Sequence, residues 1–148
     1  MSRNDEVEGK LAMHLPSITS AYLAVLALLY AGLGLQVSRL RRGNRVLFGD
    51  GDNIKLRSAI RAHANFAEYV PIIALMVAML EISGMSAVRV HLLMAALLLA
   101  RLLHPLGMYV SPRTWQFQIC RVGGIGLTVT VLIAAALLIL SRLIAGTS

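Results

Sequence analysis

The sequence predicts an all-α membrane protein, a bundle of four transmembrane helices. Hydrophobic residues make up 57% of the 148-residue chain and charged residues only 14%, well below the roughly 25% usual in soluble domains. The mean hydropathy is +0.73. The apolar residues gather in four runs, the first and last of which reach the roughly 20 residues that suffice to cross the hydrocarbon of a bilayer. The length suits one domain: a polar N-terminal tail over 1–14, then a four-helix domain over 15–144.

The formal charge is +7 and the isoelectric point about 10.5. In a soluble chain that balance would raise nucleic acid. Here membrane orientation and an anionic ligand explain it better, so no nucleic-acid partner is expected. Cys120 is the single cysteine, which leaves no disulfide framework within the chain and no Cys-based metal site.

The first span is expected over 15–39. Leu11 to Ser38 carries no Lys, Arg, Asp or Glu over 28 residues, too long for a signal-peptide core, so it reads as a retained helix. Pro16 suits its first turn, and Gly32 and Gly34 allow a neighbouring helix to approach. The turn from Arg39 to Arg57 holds six of the fourteen basic residues. Its FGDGDN run lacks the glycine order of a phosphate loop and the distal Glu of a calcium loop. It reads as a tight turn with an Asx cap for the next helix.

The second span is expected over 53–83. Its uncharged part, Tyr69 to Leu80, is only 12 residues, so the polar N-terminal half of this helix must enter the edge of the membrane. The third span, over 85–108, has 11 uncharged residues between Arg89 and Arg101 and ends at Pro105 and Gly107. Tyr109, Trp115 and Phe117 suit an interfacial aromatic belt. The fourth span, over 112–144, contains 20 uncharged residues from Val122 to Ser141. Four spans put both termini on one side. The basic first turn, with Arg113 in the third, places those turns in the cytoplasm and both termini on the non-cytoplasmic side.

One stretch is unusual for such a helix: RSAIRAHANFAEYVP, residues 57–71. At about 100° per residue, Arg57, Arg61, Asn65 and Glu68 fall within about 80° of arc and form one polar stripe, with His63 off it. Arg101 and His104 share a face of the third helix. Arg121 opens the fourth, with Gly124 and Thr128 on its face. A charge at the centre of a span costs about 2.5–3.5 kcal/mol on insertion scales and usually faces a bundle interior or wet cavity. Four arginines against Glu68 leave a positive surplus, suited to carboxylates held in bidentate geometry. The plainer reading is snorkelling of the arginines to lipid phosphates, with Glu68 neutralising Arg61 or Arg101.

RAHANFAEYVP after FGDGDN, with RLLHPLG in the third helix and Arg121 with Gly124 in the fourth, resembles the bacterial branch of the MAPEG family, membrane-associated proteins in eicosanoid and glutathione metabolism. The resemblance covers about Ser17 to Leu143. It implies a homotrimer with glutathione as cosubstrate between neighbouring subunits, near the cytoplasmic side. It implies that Arg61, Asn65 and Glu68, with Arg57 beside them, bind the peptide part, that Arg101 and His104 join them, and that Arg121 holds the sulfur as thiolate. This chain departs from prostaglandin-isomerising relatives: Met108 stands where they carry a tyrosine, and Val122, Gly123 and Ile125 replace small hydroxyl and aromatic side chains.

The expected function is a glutathione-dependent transferase or peroxidase of the bacterial inner membrane, acting on lipophilic electrophiles. The alternatives are a non-catalytic binding or scaffold protein of the same fold and, less favoured, a small four-helix exporter. Exporters of that kind carry an acid in the first helix, which Leu11 to Ser38 lacks.

Overall fold

The computed structural model describes residues 15–111 and 113–146. The expected polar tail over 1–14 lies outside the described residues, as does Pro112, the expected start of the fourth span. Four long helices account for the described chain: α1 Ser17–Asn44, α2 Ile54–Ile82, α3 Ala87–Gly107 and α4 Trp115–Gly146. Each is long and apolar enough to cross a membrane. The fold is the all-α membrane bundle that composition and hydropathy predict.

α2 and α3 form its centre, and each packs against both α1 and α4. Leu26 of α1, Ile73 and Val77 of α2, Met94 and Leu97 of α3 and Ala135 of α4 are buried. The outward surface is apolar: Leu28, Leu92, Leu137 and Leu143 are among its exposed side chains. A soluble monomer rarely carries apolar patches beyond a few hundred Å², whereas a lipid-facing surface needs them.

Polar contacts at the helix ends fix the register. No side chain of α1 caps its N-terminus. Glu81, at the far end of α2, does so instead: its carboxylate accepts the Ile18 and Thr19 N–H groups at 2.9 Å each and the Thr19 hydroxyl at 2.6 Å. A carboxylate suits the positive end of the helix dipole. Glu81→Ala is expected to lower stability by about 1–2 kcal/mol, seen as a lower thermal midpoint in detergent, with Glu81→Gln losing less. Equal midpoints for all three proteins would contradict this.

α1 ends in a Schellman arrangement. The Val46 N–H donates to Arg41 O at 3.0 Å and the Arg45 N–H to Arg42 O at 3.2 Å, with Arg45 at φ 53°. The expected Asx cap of α2 is Asn53, whose Oδ1 accepts the Leu56 N–H at 3.1 Å; its Nδ2 donates to Asn44 Oδ1 at 2.9 Å. Gly51 (φ 55°) makes the turn possible, since a Cβ there would stand 2.6 Å from Val46 Cγ2. At the other end, Arg142 Nη1 donates to Ser83 O at 2.5 Å and Ser83 Oγ at 2.7 Å, tying α4 to the α2–α3 turn.

Of the glycines expected to admit a neighbour, Gly34 lies where a Cβ would meet the His63 ring at 3.5 Å, while nothing is near Gly32. His63 stacks on Tyr30 (4.4 Å between centroids), and Tyr30 stacks on Phe66 (5.3 Å). His63 therefore serves α1–α2 packing, consistent with its place off the polar stripe.

Candidate functional site

The buried centre of the polar cluster is Arg101, 1% exposed. Its Nη1 donates to Asn65 Oδ1 at 2.7 Å. Its Nη2 donates to the Thr128 hydroxyl and lies 3.5 Å from Gly124 O. The Thr128 hydroxyl in turn donates to Gly124 O at 2.8 Å. One guanidinium thus ties α2, α3 and α4 together. Every acceptor it finds is neutral, and its Nε has no partner among the described residues. A buried cation held only by dipoles is costly.

α3 and α4 approach closely enough for this because Gly124 has no side chain. A Cβ there would lie 3.1 Å from Ala100 O, His104 N and His104 Cβ. One turn further, a Cβ on Gly107 would lie 2.4 Å from Arg121 N and 2.7 Å from Arg121 Cβ. His104 is buried beside Gly124, and its ring makes no hydrogen bond among the described residues. Arg101 lies one turn before it on α3, and Arg121 of α4 packs on Gly107 just after it.

Arg121 lies in a π-helical segment, Gln118–Gly123, inside α4. Regular α spacing puts Gly124 and Thr128 on the Arg121 face. The wider π turn breaks that phase, so Gly124 and Thr128 turn inward to Arg101 while Arg121 is exposed, its guanidinium carbon 5.2 Å from the centre of the Phe117 ring.

The stripe on α2 divides. Asn65 is buried as the partner of Arg101. Arg57, Arg61 and Glu68 are exposed. Arg57 pairs with Asp50 and reaches Asp52 at 3.5 Å. The hydrogen bond from Arg57, then that from the Asp52 N–H, holds the Asp50 carboxyl below the usual carboxylate range. Arg57 and Arg61 nevertheless share a surface cleft of about 350 Å³ with Arg41 and Asp50. Among the described residues Arg61 and Glu68 form no ion pair with each other or with Arg101, so the neutralising role considered for Glu68 is not seen. The exposed Ile72, Leu75 and Met79 continue the Glu68 face. In a single copy this carboxylate faces the same way as lipid-exposed side chains.

The Arg101 and Arg121 environments were partly beyond sequence reasoning. The Thr128 bond to Arg101 and the inward turn of Gly124 depend on the π segment, for which the Gly123–Gly124 pair is the only sequence hint. The Glu81 cap had no local signal at all, because its partners are 62 and 63 residues away.

Comparison with known proteins agrees with this architecture. Two curated relatives, both named inner membrane protein YecN and from two strains of Escherichia coli, are each 35% identical over 99 residues, covering 67% of this chain and 76% of theirs. No solved structure matches. The model of the MAPEG family matches residues 19–141, which takes in α2 and α3, nearly all of α1 and α4, and every residue of the cluster, and the chain belongs to that family.

Proposed function

We propose that the chain is an inner-membrane, glutathione-dependent enzyme, a transferase or peroxidase acting on lipophilic electrophiles. The observation that carries this reading is the buried Arg101 guanidinium, which finds only neutral acceptors and whose Nε has no partner among the described residues. Arg61 and Arg121 add exposed positive charge from α2 and α4, and no carboxylate pairs with any of the three among the described residues. A peptide with two carboxylates and a thiol supplies the missing negative charge. The inner-membrane location rests on the four spans and on the name carried by the relatives.

In this reading Arg61, Asn65, Arg101 and His104 receive the carboxylates and peptide groups, Glu68 receives the ammonium group, and Arg57 stands at the rim. Arg121 is the catalytic group. A free thiol near pKa 8.5 is mostly protonated at neutral pH, and a fixed cation favours the thiolate, which is the nucleophile. The thiolate forms a C–S bond to the electrophile and the leaving group departs with its electron pair. With a hydroperoxide, the thiolate attacks the terminal oxygen, the O–O bond breaks, the alkoxide leaves and takes from water a proton equivalent to the one the thiol gave up, and a second glutathione converts the sulfenic acid to disulfide and water.

A homotrimer completes the site. Exposed Arg61, Glu68 and Arg121 are costly against lipid but natural on an interface between copies that holds a ligand. The turns rich in arginine face the cytoplasm, with both termini opposite.

One observation favours a second reading, a non-catalytic binding protein of the same fold. Met108 replaces the expected tyrosine, and the neighbouring Tyr109 hydroxyl already accepts a hydrogen bond from Gln36 Nε2 at 2.8 Å. Conjugation of glutathione to chlorodinitrobenzene by the purified protein separates the two, with direct glutathione binding measured beside it. Arg121→Ala should lower kcat by at least about 100-fold, as removal of a charge-stabilising donor does. Glu68→Ala should mainly weaken binding. Binding without turnover in the wild type would favour the scaffold, and no binding at all would sink the proposal. If both variants match wild type, the site lies elsewhere.

A further inference from the structure

A second arginine group lies at the end of α1, where Arg41 also borders the cleft of Arg57 and Arg61. We propose that the α1–α2 turn binds an anionic phospholipid of the adjoining leaflet. Arg41, Arg42 and Arg45 would hold its phosphate, and Leu47 and Phe48 would sit among its acyl chains.

Depth comes first. From Ser17 to Ser38, α1 carries no charged side chain. At ~1.5 Å per residue this stretch rises about 33 Å, close to the ~30 Å thickness of the hydrocarbon. Arg41, Arg42 and Arg45 follow within about 11 Å, which is headgroup depth. Arg41 and Arg42 lie in the last turn of the helix, and the left-handed Arg45 that ends it stands beside them. With Ser38, Val46 and Leu47 they line a cleft of about 420 Å³.

The shape of the cleft is set by the backbone. The Schellman closure and the left-handed Arg45 turn the chain back on itself, and Arg41 Nη1 holds Leu47 O at 3.2 Å. Asp50 and Asp52 are both engaged by Arg57, and among the described residues none of the three arginines forms an ion pair. Guanidinium groups grip phosphate oxygens in bidentate fashion.

The side chains at the tip choose between a lipid and a free anion. Leu47 is 84% exposed and Phe48 90%. A soluble phosphate gains nothing from two bare apolar side chains beside its binding cations. A lipid gains from both, since its phosphate and acyl chains lie within one molecule. A second copy of the chain is a poorer occupant, because the acids of its own turn are engaged in the same way.

The test uses the full chain in mild detergent with equal amounts of phosphatidylglycerol and phosphatidylcholine of matched acyl chains. Native mass spectrometry counts the lipids retained. Wild type should retain phosphatidylglycerol at least about 10-fold over phosphatidylcholine, the scale expected of several arginines at an anionic surface. Arg41→Gln/Arg42→Gln/Arg45→Gln should abolish the preference, and Leu47→Ser/Phe48→Ser should lower retention of both lipids. Inorganic phosphate, at ionic strength matched with chloride, should leave the bound lipid in place. Equal retention by wild type and the triple variant would overturn the proposal, and so would displacement by phosphate, which marks a soluble-anion site. Unchanged retention in the Leu47/Phe48 variant would also overturn it. A preference that disappears whenever the protein is monomeric would assign the patch to contacts between copies instead.

Discussion

Gly107→Ala should lower both stability and glutathione conjugation. The added Cβ would lie 2.4 Å from Arg121 N, 2.7 Å from its Cβ and 2.8 Å from its Cα. Two of those atoms are backbone, so no rotation of a flexible side chain relieves the overlap. Either the end of α3 withdraws or the π segment of α4 shifts. Overpacking of this kind costs about 1–3 kcal/mol, against a smaller gain from replacing a helical glycine. Because the displaced residue is Arg121 itself, turnover should fall further than binding. Gly126→Ala is the control: nothing lies within 4 Å of its Cβ position, and its stability should equal wild type or exceed it by up to about 1 kcal/mol. Thermal unfolding in detergent and the chlorodinitrobenzene assay measure both effects. If Gly107→Ala behaves like Gly126→Ala, the α3–α4 contact is looser than described and does not position Arg121.

The same contact shows where sequence reasoning reached and where it stopped. The four-helix class was legible because lipid demands long apolar runs, and composition reports those directly. The Asn53 cap was legible because its signal is local. The pairing of Asn65 with Arg101 was within reach, as two polar groups on neighbouring spans must find partners, but their choice of each other over Glu68 was not. That choice depends on which face of α2 turns inward. A stripe covering about 80° of arc straddles the boundary between inside and outside, so Asn65 is buried and Arg61 and Glu68 are exposed. Around Arg121, an assumption of regular α geometry carried the error. One π turn re-aims every side chain before it relative to those after it, which moves Gly124 and Thr128 from Arg121 to Arg101.

Removing the partners of Arg101 should have the largest effect on stability, and removing Arg101 as well should undo most of it. Asn65→Leu deletes the acceptor at 2.7 Å, and Thr128→Val deletes the hydroxyl on Nη2. Hydrogen bonds to a charged group contribute about 1.5–3 kcal/mol each. Both serve one buried cation, so the double variant should depart from additivity by about 0.5–3 kcal/mol. Its Arg101 would keep only backbone carbonyl contacts at 3.5 Å, with no counter-ion among the described residues. Adding Arg101→Met then replaces the whole polar cluster by apolar side chains. Such wholesale replacement is often neutral or stabilising, whereas breaking a cluster in part is not. Thermal midpoints of the single, double and triple variants decide the matter. A triple variant near wild-type stability that no longer binds glutathione would mean that the buried cation serves the ligand and that the fold bears its cost. If Arg101→Met destabilises the double variant further, the arginine is held by packing of its stem, and the uncompensated charge is not what the three helices are built around.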